Sequence, residues 1–303
     1  MHSSSLGRGI GLSVLASTLF AFLSGYTRLL SPLDGTDIFA WRILWTTLAI
    51  LALLWWQSRL PQLRAAWRII LDAPYGLGRL LLMAALLGVQ QWIFLWASVN
   101  EMALDISLGY FLLPLVMVMV GRMCYGERLD GFQRLAVACA LVGVVHELWM
   151  TRAFSWPTLV VALGYPPYFM LRRRFAIDSV LLFAIELLMI LPFSLLWLAA
   201  SPLSTDILRM PSMYLLLPVL GVTSMAALSS YLKASRMLPM GLFGILGYVE
   251  PVLLVLVAIV ALGEQMTVTQ LGTYVPIWLS VVFTGFHSAR LMRARRSSIS
   301  PEH

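Results

Sequence analysis

Three charged side chains stand where charge is costly. Arg42 falls about one turn inside an apolar stretch at 38–56, Glu186 near the middle of one at 180–200, and Glu250 in the middle third of one at 241–262. At hydrocarbon depth a charge costs roughly 2.5–3.5 kcal/mol or more unless it pairs, snorkels or meets water, so such residues read as functional by default. The planar fork of Arg42 suits a carboxylate; the alternative is snorkelling to the interface beside Trp41. Glu186 is flanked by Ile185 and Leu187 with no basic residue one turn away. That makes it a candidate for proton coupling or for holding an amine, against a protonated carboxyl bonded to another helix. Glu250 precedes Pro251, whose missing N–H leaves the Gly247 carbonyl free, and Pro114 does the same to Tyr110. Kinked helix segments that line cavities are where membrane bundles hold ligands, and the alternative is a fixed kink without ligand contact.

Around these charges, Trp92, Trp96, Tyr110, Phe111, Tyr168, Tyr231 and Tyr248 could wall a cavity and meet a cation or an aromatic group. The competing reading is packing or an interfacial belt. Lys233, the sole lysine, ends a small polar stripe of Thr223, Ala226 and Ser230 at helical spacing. It is either an anchor at the membrane face or a ligand contact, and the stripe reads first as close helix packing. His146 and His287 have no partner at metal-ligand spacing, and Cys124 and Cys139 read as packing thiols, so no metal or cofactor is called for. Leu232 precedes Lys233 where a phosphate-binding loop needs Gly, and neither a His-Glu-x-x-His nor a Gly-x-Ser-x-Gly pattern occurs. ATP-driven work and hydrolysis therefore have no support in the sequence.

The elements that must position these residues follow from composition. Apolar residues make up 60% of the 303, charged ones 12%, and mean hydropathy is +0.86; soluble domains run nearer about half and a quarter. Lipid, not water, must cover most of the surface. Stretches of spanning length run at 10–30, 38–56, 80–99, 106–123 and 135–150, and again at 156–171, 180–200, 214–232, 241–262 and 271–289. The sixth is short and carries Pro166 and Pro167. The first outruns a signal-peptide core and lacks a small-x-small cleavage site, so it reads as an uncleaved first helix.

A net charge of +7 could suggest nucleic acid, but the basic residues are scattered between apolar runs and instead report topology. With the N-terminus cytoplasmic, 17 of the 21 Lys and Arg fall on the inside, leaving Arg28, Arg152 and Arg209 outside and Arg42 within the second span. Both termini are then cytoplasmic.

Residues 97–133 align without gaps on 234–270, matching Ala97/Ala234, Ser98/Ser235, Pro114/Pro251, Gly126/Gly263, Glu127/Glu264 and Gln133/Gln270. Each unit holds five helices, an odd number, so the copies must sit in opposite orientation. The expected architecture is an all-α integral membrane protein of ten transmembrane helices in two inverted five-helix repeats, 1–150 and 151–303, the second with a short tail. Inverted repeats around a midplane site permit inward and outward opening.

Ser107-Leu108-Gly109-Tyr110-Phe111, then Pro114-Leu115 and Gly126-Glu127, resemble the RarD-like branch of the EamA family in the drug/metabolite transporter superfamily. Arg42, Trp92, Trp96, Asn100, Arg172-Arg173, Ile185-Glu186, Tyr248 and Pro251 extend the resemblance over nearly the whole chain. Two positions depart from the family pattern: Trp41 stands where relatives carry His, and Glu250 where they carry a small residue. The resemblance implies ten helices in inverted repeats, a central cavity and efflux of small organic solutes. The leading expectation is an inner-membrane secondary exporter of a small amino-acid-like or polycarboxylate metabolite, nicotianamine-like metallophores included, because Arg42, Glu186 and Glu250 offer both charge signs to a zwitterion. Efflux of hydrophobic or aromatic drugs is the second reading, and an intramembrane enzyme or scaffold the third. The partners expected are a small-molecule substrate, the lipid bilayer and protons, with a homodimer left open and no nucleic acid. The sharpest expectation is that Arg42, Glu186 and Glu250 converge on one wet cavity.

Overall fold

The computed structural model describes residues 3–99, 103–152, 155–207, 209–262 and 268–297. These are helical or irregular, with no strand among the described residues. In chain order the helices are α1 (Ser3–Tyr26), which runs into a 3₁₀ turn (Thr27–Leu30), α2 (Gly35–Trp56), α3 (Leu60–Asp72), α4 (Gly76–Val99), α5 (Ala103–Tyr125), α6 (Gly131–Thr151) and α7 (Trp156–Arg173). Then follow α8 (Ser179–Ala200), α9 (Pro202–Ile207), α10 (Met213–Met237), α11 (Met240–Leu246), α12 (Val249–Leu262) and α13 (Val268–Ser297). Seven of them, α1, α2, α4, α5, α6, α8 and α10, are long and apolar enough to cross a membrane.

Short polar residues start several of these helices by accepting from the first-turn amides, which have no partner within the helix. Asp34 accepts from the Asp37 amide at 2.7 Å to open α2. Asp130 and Gln133 form a reciprocal capping box at the start of α6, and Asp178 accepts from the amides of Val180 and Leu181 to open α8.

Two elements differ from the sequence expectation. The basic segment between the second and third apolar stretches contains a helix, α3, whose Ala66 and Ile70 are buried while Arg64 and Arg68 are exposed. It is amphipathic and packs on α4 and α8. The ninth apolar stretch is broken, not merely kinked. Gly247 and Tyr248 donate to the carbonyls of Gly244 and Ile245, tightening the end of α11 before α12 begins. Pro251 removes an amide within the first turn of α12, where it is tolerated, and the chain re-starts there. Pro114, its partner in the alignment, lies inside a continuous α5.

The tightest helix pairs are α1 with α10, α2 with α8 and α10, α5 with α7 and α11, and α6 with α13. A Cβ on Gly244 of α11 would come within 2.7 Å of Met117 Cβ and 2.9 Å of the Pro114 carbonyl on α5, so only glycine permits that approach. On the α6–α13 seam, His146 Nδ1 lies 2.9 Å from Thr273 Oγ1, and that hydroxyl donates to Glu147 at 2.7 Å. Cys124 is exposed and Cys139 half-buried, both as free thiols.

Candidate substrate cavity

A cavity of about 340 Å³ lies where α1, α2, α4, α5, α7, α10, α11, α12 and α13 converge. Its polar lining includes Arg42, Gln91, Tyr110, Tyr165, Tyr231 and Glu250, and its apolar lining includes Phe20, Phe94, Phe111 and Phe243. Phe20, Tyr231 and Phe243 of the lining belong to an aromatic knot near the end where α10 meets α11. Tyr231 lies 4.7 Å from Phe243, 5.6 Å from Phe169 and 5.7 Å from Phe20, centroid to centroid. Beyond that knot two arginines cross-link the loops. Arg173 donates to the carbonyls of Ser235 at 2.6 Å and Leu238 at 2.8 Å. In the opposite direction Arg236 donates to Phe175 at 2.7 Å and also to Ile177.

Arg42 is 8% exposed and donates through Nε to Ser224 Oγ at 2.9 Å. Among the described residues no protein acceptor takes its two terminal nitrogens, so the fork faces the cavity. Glu250 lines the same cavity with no hydrogen-bond or ion-pair partner among the described residues, near enough to Arg42 for the charges to interact. Among the described residues the site therefore presents one cation with both terminal nitrogens open and one acid without a protein partner, set among aromatic walls.

Of the residues singled out from the sequence, Arg42, Tyr110, Phe111, Tyr231, Glu250, Pro114 and Pro251 line the cavity. The others are placed elsewhere. Trp92 and Trp96 pair at 5.4 Å, Trp96 meets the exposed Trp156 at 5.6 Å, and Trp92 donates to Thr36 Oγ1 at 3.4 Å, an indole cluster outside the cavity lining. Tyr248 is buried and donates to the Phe111 carbonyl at 2.8 Å, fastening the α11–α12 break to α5. Lys233 is exposed.

Glu186 corrects the expectation of a three-charge cavity. It is fully buried and accepts from Arg172 Nη1 at 2.5 Å and from the Tyr168 hydroxyl at 3.2 Å; Arg172 is itself fully buried and donates to the Ser179 carbonyl at 2.5 Å. Glu186 Oε1 and Arg172 Nε have no partner among the described residues. The pair is dry and lies outside the cavity lining. The loop from α7 to α8 brings Arg172 across to Glu186, a contact invisible to a search one helical turn either side.

Tyr165, Gln91 and Ser224 were not singled out from the sequence. Tyr165 stands immediately before Pro166 and Pro167, which gave a local signal. Ser224 is fully buried on α10, one position beyond the stripe read from helical spacing. Nothing short of the α2–α10 packing could pick it out.

An all-helical chain with at least seven membrane-length apolar helices around a cavity holding an unpaired acid and base is a multi-pass membrane protein of the transporter kind. Residues 7–146 match the EamA-like transporter family. The chloramphenicol-sensitive protein RarD of Pseudomonas aeruginosa is 51% identical over 295 residues, covering 96% of this chain and 98% of that protein. An uncharacterized transporter of Haemophilus influenzae is 36% identical over 280 residues, covering 92% and 93%. Protein RarD of Salmonella typhimurium is 28% identical over 284 residues, covering 93% and 95%. The chain belongs to the EamA family of the drug/metabolite transporter superfamily, in its RarD-like branch. A solved crystal structure shares its fold at a TM-score of 0.68 and 18% identity, over 96% of this chain and 99% of that one.

Proposed function

We propose that the protein is an inner-membrane secondary exporter, with ten spans in two inverted repeats and both termini cytoplasmic, working by alternating access on a small amino-acid-like or polycarboxylate metabolite. Nicotianamine-like metallophores fall within that class. The observation that carries the substrate reading is the cavity holding the free fork of Arg42 and the free carboxylate of Glu250 within one aromatic ring of walls. A zwitterion satisfies both charges at once, whereas each alone is costly at that depth. Glu250 is the residue placed to exchange a proton with the substrate path. Glu186 is not, because Arg172 holds it in a dry pair.

The pattern of helix contacts supports the repeat. Placing α1, α2, α4, α5 and α6 on α7, α8, α10, α11–α12 and α13 turns the α1–α10 packing into α4–α7, α2–α10 into α4–α8, and α5–α7 into α1–α12. The pairs α2–α8, α5–α11 and α6–α13 map onto themselves, and every one of these contacts is present.

A second reading, efflux of a hydrophobic or aromatic drug, draws on the rings of Phe20, Phe94, Tyr110, Tyr231 and Phe243 and on the relative named for chloramphenicol sensitivity. Flux in proteoliposomes separates the two. The expected result is counterflow of a radiolabelled amino acid that other zwitterions compete away and tetraphenylphosphonium does not. Competition by the lipophilic cation alone would replace the first reading with the second, and no flux of either class would remove both.

A further inference from the structure

Burying a guanidinium with a single neutral acceptor leaves most of its hydrogen-bonding capacity unused, and the way that one bond is made decides what the rest can do. Arg42 gives Nε to Ser224 Oγ, a serine on another helix that is fully buried and outside the cavity lining. The guanidinium is planar, so with Cδ placed by the side chain, fixing the Nε–H direction sets the plane and the heading of both terminal nitrogens. A carboxylate can meet arginine side-on, through Nε and one terminal nitrogen, or end-on, through both terminal nitrogens. Ser224 occupies the side-on position.

We infer that Ser224 is a positioning residue that commits Arg42 to end-on, bidentate capture of a substrate carboxylate. This rests on the reading of the cavity as a zwitterion site. The local sequence is arranged for it. A Cβ at Gly221 would overlap the backbone and Cβ of Trp45, so α10 approaches α2 there as only a glycine allows. Ser224 lies one turn beyond Gly221, and Arg42 one turn before Trp45. The close crossing delivers the hydroxyl to Nε at 2.9 Å. Arginine carries about 2 kcal/mol of rotamer entropy, and a guanidinium already held in plane loses less of it on binding. Glu250, without a protein partner among the described residues on the same cavity, takes the substrate's ammonium.

The test uses the purified full chain in lipid nanodiscs and three probes that match the aromatic walls: L-phenylalanine, phenethylamine, which lacks the carboxylate, and 3-phenylpropionate, which lacks the ammonium. Affinities are measured by calorimetry for wild type, Ser224→Ala and Ser224→Cys. The expected result is that Ser224→Ala weakens L-phenylalanine and 3-phenylpropionate about tenfold, the scale of one charge-assisted hydrogen-bond geometry. Phenethylamine binding stays within twofold of wild type, and Ser224→Cys, whose sulfur is a weak acceptor, falls between. Equal losses for all three probes would make Ser224 a general packing residue and overturn the inference. Unchanged binding of the two carboxylates in Ser224→Ala would also overturn it, while leaving the zwitterion reading in place. If wild type binds none of the probes, or binds phenethylamine as tightly as L-phenylalanine, the zwitterion reading itself fails and takes this inference with it.

Discussion

Glu186→Gln separates a structural carboxylate from a coupling one. The substitution keeps the shape and one carbonyl acceptor but removes the negative charge facing a fully buried Arg172. Removing one partner of a buried ion pair costs about 3–5 kcal/mol, because the surviving charge is left in a medium that cannot solvate it. Arg172 keeps two further acceptors, the Ser179 carbonyl at 2.5 Å and the Tyr168 hydroxyl at 3.1 Å, and Gln supplies a weaker third. The expected loss therefore sits at the low end, about 3 kcal/mol. Equilibrium unfolding in mixed detergent micelles measures it. The double variant Arg172→Met with Glu186→Leu should unfold later than either single variant, since no unpaired charge remains. In reconstituted vesicles, Glu186→Gln protein that stays folded should show the pH dependence of wild-type transport. Wild-type stability in Glu186→Gln, or a flattened pH profile, would refute the dry-pair account and return Glu186 to the transport path.

Asp178→Ala removes the N-cap of α8 and the partner of Arg59 at 3.2 Å, and should cost about 1 kcal/mol. Burial pushes the Asp178 carboxyl up, but the Leu181 and Val180 amides and the Arg59 charge outweigh it and hold it below the usual aspartate range. Its stabilisation is thus complete above that range and fades as pH falls through the lowered folded value, a modest effect because the group is partly exposed. Melting curves of wild type and variant should converge on acidification; parallel curves would refute the linkage. Replacing both Arg173 and Arg236 by Ala removes the donors that tie the end of α7 to the carbonyls ending α10 and the carbonyls of the α7–α8 loop to α10. On the proposed topology that end is cytoplasmic, so a cysteine placed at Tyr231 in that background should label faster with a membrane-impermeant thiol reagent added outside inverted vesicles, and an unchanged rate would deny the arginines a closing role.

Hydropathy is a local property, so the sequence by itself determined where the apolar helices run and that Arg42 and Glu250 are charges set inside apolar stretches, whereas the caps at Asp34, Asp130 and Asp178 were read only from the structure. Motifs contiguous along the chain, Ser107 to Pro114 and Gly126-Glu127, likewise carried the family, because family membership is written in consecutive residues. Glu127 shows where that legibility stops: its carboxylate accepts from the amides of Met240 at 2.6 Å and Gly241 at 2.8 Å, capping α11 from the loop between α5 and α6. Which charges meet depends on the rotation of each helix about its axis and on which neighbours it packs against, and neither is encoded by spacing within one helix. The fold alone therefore decided that Glu186 finds Arg172 while Glu250 and Arg42 share a cavity, that the ninth stretch breaks at Gly247 and Tyr248, and that Ser224, unremarkable in sequence, holds the one buried cation that faces the cavity among the described residues.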